Sequence, residues 1–391
     1  MITVLFAWEL GAGSGHLMNI RRLAQRLQIR GVRVVAAVTS LSAIFVLDGV
    51  FNEIHRMPHW PGASSDPART SSSATLNDIL VSAGVADTAL VGKIADAWMR
   101  LLGAIKPALV IADFAPAAAL TARGRVPLML IGNGYTLPPH EMPSFPLLHA
   151  LEPPRHRETD TLAAVNAAAN GLGLQPLGRL PQLFSGDAHL VHTLPLLDPY
   201  AQHRRQPVDG PLIGYVPQPR HAGARQVFAY ISDGIEVRDD VVAALRPVAV
   251  RLRIYAPMLS AAARDDLARN GAQIEDAPVD LSRVLPDCGL IVHLGGSGLA
   301  AEALLAGVPQ LTLVTHVEQH LTGLALQRAG IGRCFTAFDP ASTLSADAVA
   351  DLLNDEGLSQ RAADIGAQQR DAASSNAAHD AFDRACARLL G

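Results

Sequence analysis

The residues best suited to chemistry stand together in one stretch, 290–319, LIVHLGGSGLAAEALLAGVPQLTLVTHVEQ. Residues 290–292 form an apolar run that reads as a strand inside a parallel sheet, and Gly295, Gly296 and Gly298 then break it. Glycines at such a turn let the backbone bend sharply and approach a ligand closely. Residues 299–305 are good helix formers, so the turn is expected to present backbone N–H groups at a helix N-terminus, where an anion is favoured. That is the chemistry of phosphate binding. Glu302, expected on the first turn of this helix, offers a carboxylate to a vicinal diol. After a further strand comes the polar pair Glu318 and Gln319, which together can accept from and donate to hydroxyls.

These residues need a scaffold, and the start of the chain shows one. Residues 2–8 are apolar and β-prone. The segment after them has Ile20, Leu23 and Leu27 at helical spacing and Gly31 at its end, and VRVVAAV then restarts a strand. This is a β-α-β opening. Gly11, Gly13 and Gly15 follow G-x-G-x-G rather than the G-x-G-x-x-G of a dinucleotide site, and no acidic residue ends the second strand, so that cofactor reading fails. Residues 109–114, LVIADF, form another apolar strand after a helical segment at 96–105. Asp113 stands at its C-terminal edge, where parallel α/β sites lie and where an unpaired buried carboxylate is costly. Glu9 ends the first strand as a second carboxylate in reach, equally suited to capping a helix or pairing in a loop.

The stretch 290–319 resembles the C-terminal signature of GT-B glycosyltransferases of the family 1 type, the bacterial and plant small-molecule UDP-sugar enzymes. That signature has a His before a glycine-rich turn, a Glu eight residues later, a Gly-Val-Pro strand and an Asp-Gln or Glu-Gln pair. Glu302, Gly307-Val308-Pro309 and Glu318-Gln319 match. Leu294 stands where the diphosphate-contacting His is usual, with His293 beside it, and Leu299 replaces a small hydroxyl residue. Gly15-His16 likewise looks like the family's Gly-His motif.

The resemblance implies that His16 is the general base, which suits an imidazole because its pKa lies near working pH and a helix N-terminus disfavours its charged form. It implies that Asp113 orients His16, and that Gly295, Gly296, Ser297 and Gly298 hold the donor diphosphate with His293 nearby. Glu302 would take the ribose, and Glu318 and Gln319 the sugar. Ser232, after a strand at 226–231, and the backbone at Val279 would complete the donor site. Acceptor contacts are expected from Glu9, from Trp60 in the long loop 51–78, and from Tyr135, Met142 and Phe145 in a proline-rich segment, giving an apolar or aromatic pocket.

A chain of 391 residues is too long for one core. Alternating strands and helices predict two doubly wound α/β domains. The resemblance makes these the two Rossmann-like domains of a GT-B fold facing a cleft: an acceptor domain at 1–210, a nucleotide-sugar domain at 211–370, and a C-terminal helix at 371–391 crossing back to the first. A net charge of −4 argues against a nucleic-acid partner. No apolar run is long enough to span a membrane and the opening lacks a basic leader, so a cytoplasmic enzyme is expected. Cys288, Cys334 and Cys386 have no disulfide or zinc spacing. The absence of a D-x-D motif predicts no metal, and the nucleotide-sugar donor is a co-substrate, so no cofactor is expected. The expected reaction is inverting transfer to a small acceptor. Its rivals are a nucleotide-sugar epimerase on the same fold and a binding protein that has lost turnover; the sequence fixes no oligomeric state.

Overall fold

The computed structural model describes residues 2–391 apart from 12–13, 41–43, 63–72, 233–234, 337–341 and 373–375; Gly13 thus lies outside the described residues. The chain divides into two compact units, Met1–Leu212 with Asn376–Gly391, and Ile213–Ser375.

In the first unit β1 (Thr3–Trp8), α1 (Gly15–Gln28), β2 (Arg33–Val38) and β3 (Glu53–Arg56) precede α2 (Leu76–Ala83) and α3 (Thr88–Ile105). Then come β4 (Leu109–Asp113), α4 (Pro116–Ala122), β5 (Leu128–Gly132), α5 (Glu158–Gly171) and β6 (Ala188–Val191). The strands pair in parallel in the order β3-β2-β1-β4-β5-β6. Runs such as VVAAV and LVIAD are buried along their whole length, as a parallel sheet covered on both faces requires. The helix expected at 96–105 starts earlier, at Thr88, because the Asp87 side chain accepts the N–H groups of Ala89 and Leu90 and caps it. The chain changes direction between β1 and β4, the switch point beside which ligands of such sheets bind.

The second unit repeats the pattern. It runs β7 (Gln226–Tyr230), α6 (Asp239–Leu245), β8 (Leu252–Tyr255), α7 (Ala261–Arg269), β9 (Gln273–Glu275), α8 (Leu281–Val284), β10 (Cys288–His293) and α9 (Ser297–Ala306). There follow β11 (Gln310–Val314), α10 (Val317–Arg328), β12 (Gly332–Thr336), α11 (Ala348–Asn354) and α12 (Glu356–Ala372). Its parallel order is β12-β11-β10-β7-β8-β9, with the switch between β10 and β7. The last helix, α13 (Ala377–Leu390), belongs to the first unit, where Phe382 and Cys386 join Phe6, Ile111, Ile131 and the inner face of α1 in one core. Among the described residues no helix is long and apolar enough to cross a membrane.

Candidate active site

At the switch point of the first unit, Trp8 at the end of β1 is the register partner of Asp113 at the end of β4. The next residue, Phe114, has a φ of +42°, a backbone conformation that bulky residues rarely adopt, and its carbonyl accepts the Leu10 N–H at 3.0 Å. The two strand ends are thereby tied together, and Asp113 is left 1% exposed. His16, the second residue of α1, reaches it: Nδ1 lies 3.0 Å from Asp113 Oδ1. The imidazole stacks on the Trp8 indole with centroids 5.7 Å apart. Gly11 closes over the other side. It has a φ of +95°, and a Cβ there would stand 2.4 Å from His16 Nε2. Gly11 thus lies against the Nε2 edge of the ring while Nδ1 faces the carboxylate.

Sequence reasoning missed a third member of this group. His192, just beyond β6, is 8% exposed, and burial pushes its pKa down to about 4 while Asp113 pulls it up and His16 pushes it down. The only hint in sequence is its place after an apolar strand, shared with Asp113.

The acceptor residues need correction. Glu9 is 2% exposed and does not face a ligand: Oε2 accepts from Trp60 Nε1 at 2.7 Å and from Ala117 N at 3.1 Å, and Oε1 from Ala118 N at 2.6 Å. It caps α4, whose first-turn amides at Ala117 and Ala118 have no carbonyl partners within the helix. Burial raises its pKa from 4.5 to about 7. Trp60 is fully enclosed as its partner rather than lining an acceptor pocket. Tyr135, Met142 and Phe145 are likewise buried, Phe145 edge-on to Phe184, so they form wall rather than surface. A small apolar void of about 10 Å³ lies nearby, lined by Phe114, Leu137, Leu183 and Phe184 among others.

In the second unit the glycine-rich turn follows β10. Gly295 has a φ of +89°, and a Cβ on it would meet Gln319 O at 2.9 Å, so conformation and space both demand glycine. At Gly296 and Gly298 a Cβ would meet nothing within 4 Å, which leaves open room in front of the turn. Gly296 is the N-cap of α9 with no side-chain cap, and the first helical bond runs from Ala300 N to Gly296 O. The first turn of α9 thus begins at Ser297, directly after the glycine turn. Glu302 falls on the second turn rather than the first, because α9 begins at Ser297. It is 8% exposed and accepts the Tyr215 hydroxyl at 2.5 Å.

His293 is removed from the donor contacts. It is 1% exposed, its Nδ1 accepts the Gly295 N–H at 3.1 Å, and its Nε2 bonds Gln310 Oε1 at 3.0 Å. Gln310 in turn donates to Ala300 O. Burial lowers the His293 pKa to about 4, so the ring is a neutral brace that shapes the turn. Glu318 is half-buried in the first turn of α10. Gln319 is 4% exposed, and its Oε1 accepts from the N–H and the hydroxyl of Thr315. Ser232 is half-buried at the C-terminal end of β7, and the Val279 side chain packs on the core, so any contact there is through its backbone. Leu294 is 5% exposed and borders a cleft of about 80 Å³ with Ile231, Leu313, Val314 and Phe335. No group of three or more potential metal ligands occurs among the described residues.

Comparisons with known proteins agree with this geometry. Residues 254–379 match the erythromycin biosynthesis protein CIII-like C-terminal domain. The zeaxanthin glucosyltransferase of Pseudescherichia vulneris is 25% identical over 95% of both chains. The elloramycin glycosyltransferase ElmGT of Streptomyces olivaceus is 37% identical over 90 residues, which span 23% of this chain and 22% of that one. The crystal structure of CalG4, the calicheamicin glycosyltransferase, superposes with a TM-score of 0.71 over the full length of both chains at 17% identity, a likeness of fold. Twin parallel sheets, the glycine turn with its Glu and Glu-Gln, and these likenesses lead to one conclusion: the chain is a glycosyltransferase with the GT-B fold, and its residues 254–379 form an erythromycin biosynthesis protein CIII-like C-terminal domain.

Proposed function

We propose that this glycosyltransferase moves a sugar from a UDP- or dTDP-linked donor to a hydroxyl of a small apolar or aromatic acceptor, with inversion at the anomeric carbon. The observation that carries the reading is the 3.0 Å contact between His16 Nδ1 and the buried Asp113 carboxylate. With Nδ1 engaged, Nε2 takes the acceptor proton as the acceptor oxygen forms its bond to the anomeric carbon. The bond from that carbon to the diphosphate oxygen breaks on the opposite face, and the electron pair leaves with the diphosphate. Asp113 stabilises the imidazolium formed. The departing charge is met by the α9 amides of residues 297–299, which are fixed before the reaction and so cost no reorganisation. The proposal assigns this charge stabilisation to backbone and needs no metal.

Glu302 takes the ribose beside Tyr215, while Glu318 and the Gln319 amide take sugar hydroxyls; Ser232 and the Val279 backbone serve the rest of the donor. The near full-length likeness to a zeaxanthin glucosyltransferase supports a small hydroxyl-bearing acceptor. The test is product stereochemistry. The protein is incubated with α-linked UDP- and dTDP-hexoses and a panel of phenolic and aliphatic alcohols, and the glycoside is read by its anomeric proton coupling. A β-glycoside is expected. An α-glycoside, or an isomerised sugar with no acceptor consumed, contradicts the reading.

A further inference from the structure

His192 sits on the same side of the first sheet as the dyad. Asp113 is the register partner of Ile131 on β5, and Ile131 of Leu190 on β6, so these three side chains point to one face. His192, two residues beyond Leu190, points to that face too, the face covered by α1, from which His16 projects. Its backbone is pinned by the bond from its N–H to Gly132 O at 2.8 Å. His192 is 8% exposed, and its Nε2 has no hydrogen-bond partner among the described residues. A buried ring nitrogen in that state is costly and calls for one. The field of Asp113 reaches it, as do those of His16 and Arg22 from α1. The other titratable groups near this end of β6 are Asp209, which accepts the Val191 N–H with Arg384 close by, and His379 on α13.

We propose that His192 is a positioning residue for the base: its Nε2–H is directed through one bridging water at the Asp113 carboxylate, which is thereby held between two imidazoles. The inference rests on the reading of His16 as the base. An N–H dipole with its positive end toward Asp113 stabilises the carboxylate and opposes a second positive charge on His16. Its effect is to keep His16 neutral and ready before each turnover. Because burial favours the uncharged ring, His192 supplies this dipole without titrating itself at neutral pH.

The test is a titration of the full-length chain with ring-¹⁵N-labelled histidine, His16 being identified by the signal lost in His16→Gln. In His192→Phe the His16 midpoint is expected to rise by about half a pH unit or more, and in His192→Gln, whose amide can still donate, by less than half of that shift. An unchanged or lowered midpoint in folded His192→Phe overturns the proposal. Should that variant not fold, the wild-type spectrum decides alone, since the proposal requires the His192 proton on Nε2, and a proton on Nδ1 overturns it. The base reading fails separately, if His16→Gln still transfers sugar.

Discussion

At the scale of single residues, two positions show how little tolerance the site has. A methyl group at Gly11 would stand 2.4 Å from His16 Nε2 on a backbone with φ of +95°. Gly11→Ala is therefore expected to push the ring off its line, and a misplacement of about 1 Å is worth roughly 10²-fold in rate. Steady-state kinetics should show the loss in kcat, while donor binding, which the proposed function assigns to the other unit, is unchanged. Leu294 is the second. By family pattern an imidazole there would strengthen the grip on diphosphate, but the leucine is 5% exposed and packed in the apolar core of its unit. Leu294→His buries a polar ring beside Ile231, Val314 and Phe335, which costs on the order of 1–3 kcal/mol. A lower melting temperature with no tighter donor binding by calorimetry is the expected pair of results.

Among the elements, the join between β1 and α4 depends on one carboxylate. Glu9 has three hydrogen bonds inside the fold, yet burial still raises its pKa from 4.5 to about 7. Between those values the folded protein keeps a proton that the unfolded chain releases. The contribution to stability is greatest below about pH 4.5, falls as pH rises through this window and is level above about 7, a span of at most about 3 kcal/mol. Urea midpoints at pH 5 and 7.5 should show the fall in wild-type protein. In Glu9→Gln the fall should be smaller, although the variant is less stable throughout because its amide meets N–H donors. The elements also show why Glu302 was misplaced from sequence: an uncapped helix can begin at Ser297 as readily as at Leu299, and periodicity does not say which.

At the scale of the whole molecule, the two doubly wound sheets were legible because the central strands are short apolar runs closed by turns. His16 and Asp113 were legible because strand ends and helix starts at a switch point are few, and the structure brings these two together. Burial was not legible. Glu9, Trp60 and His293 have the chemistry of site residues, but neighbours distant in sequence, Ala117, Ala118 and Gln310, claim their polar atoms. His192 was missed for the same reason, since its partners are fixed by strand register rather than spacing. The central claim is that His16 is the base, and the direct measurement is turnover of His16→Ala beside its affinity for the donor. The account predicts that kcat falls by about 10²-fold or more while nucleotide-sugar binding is unchanged. Transfer at the wild-type rate would contradict it.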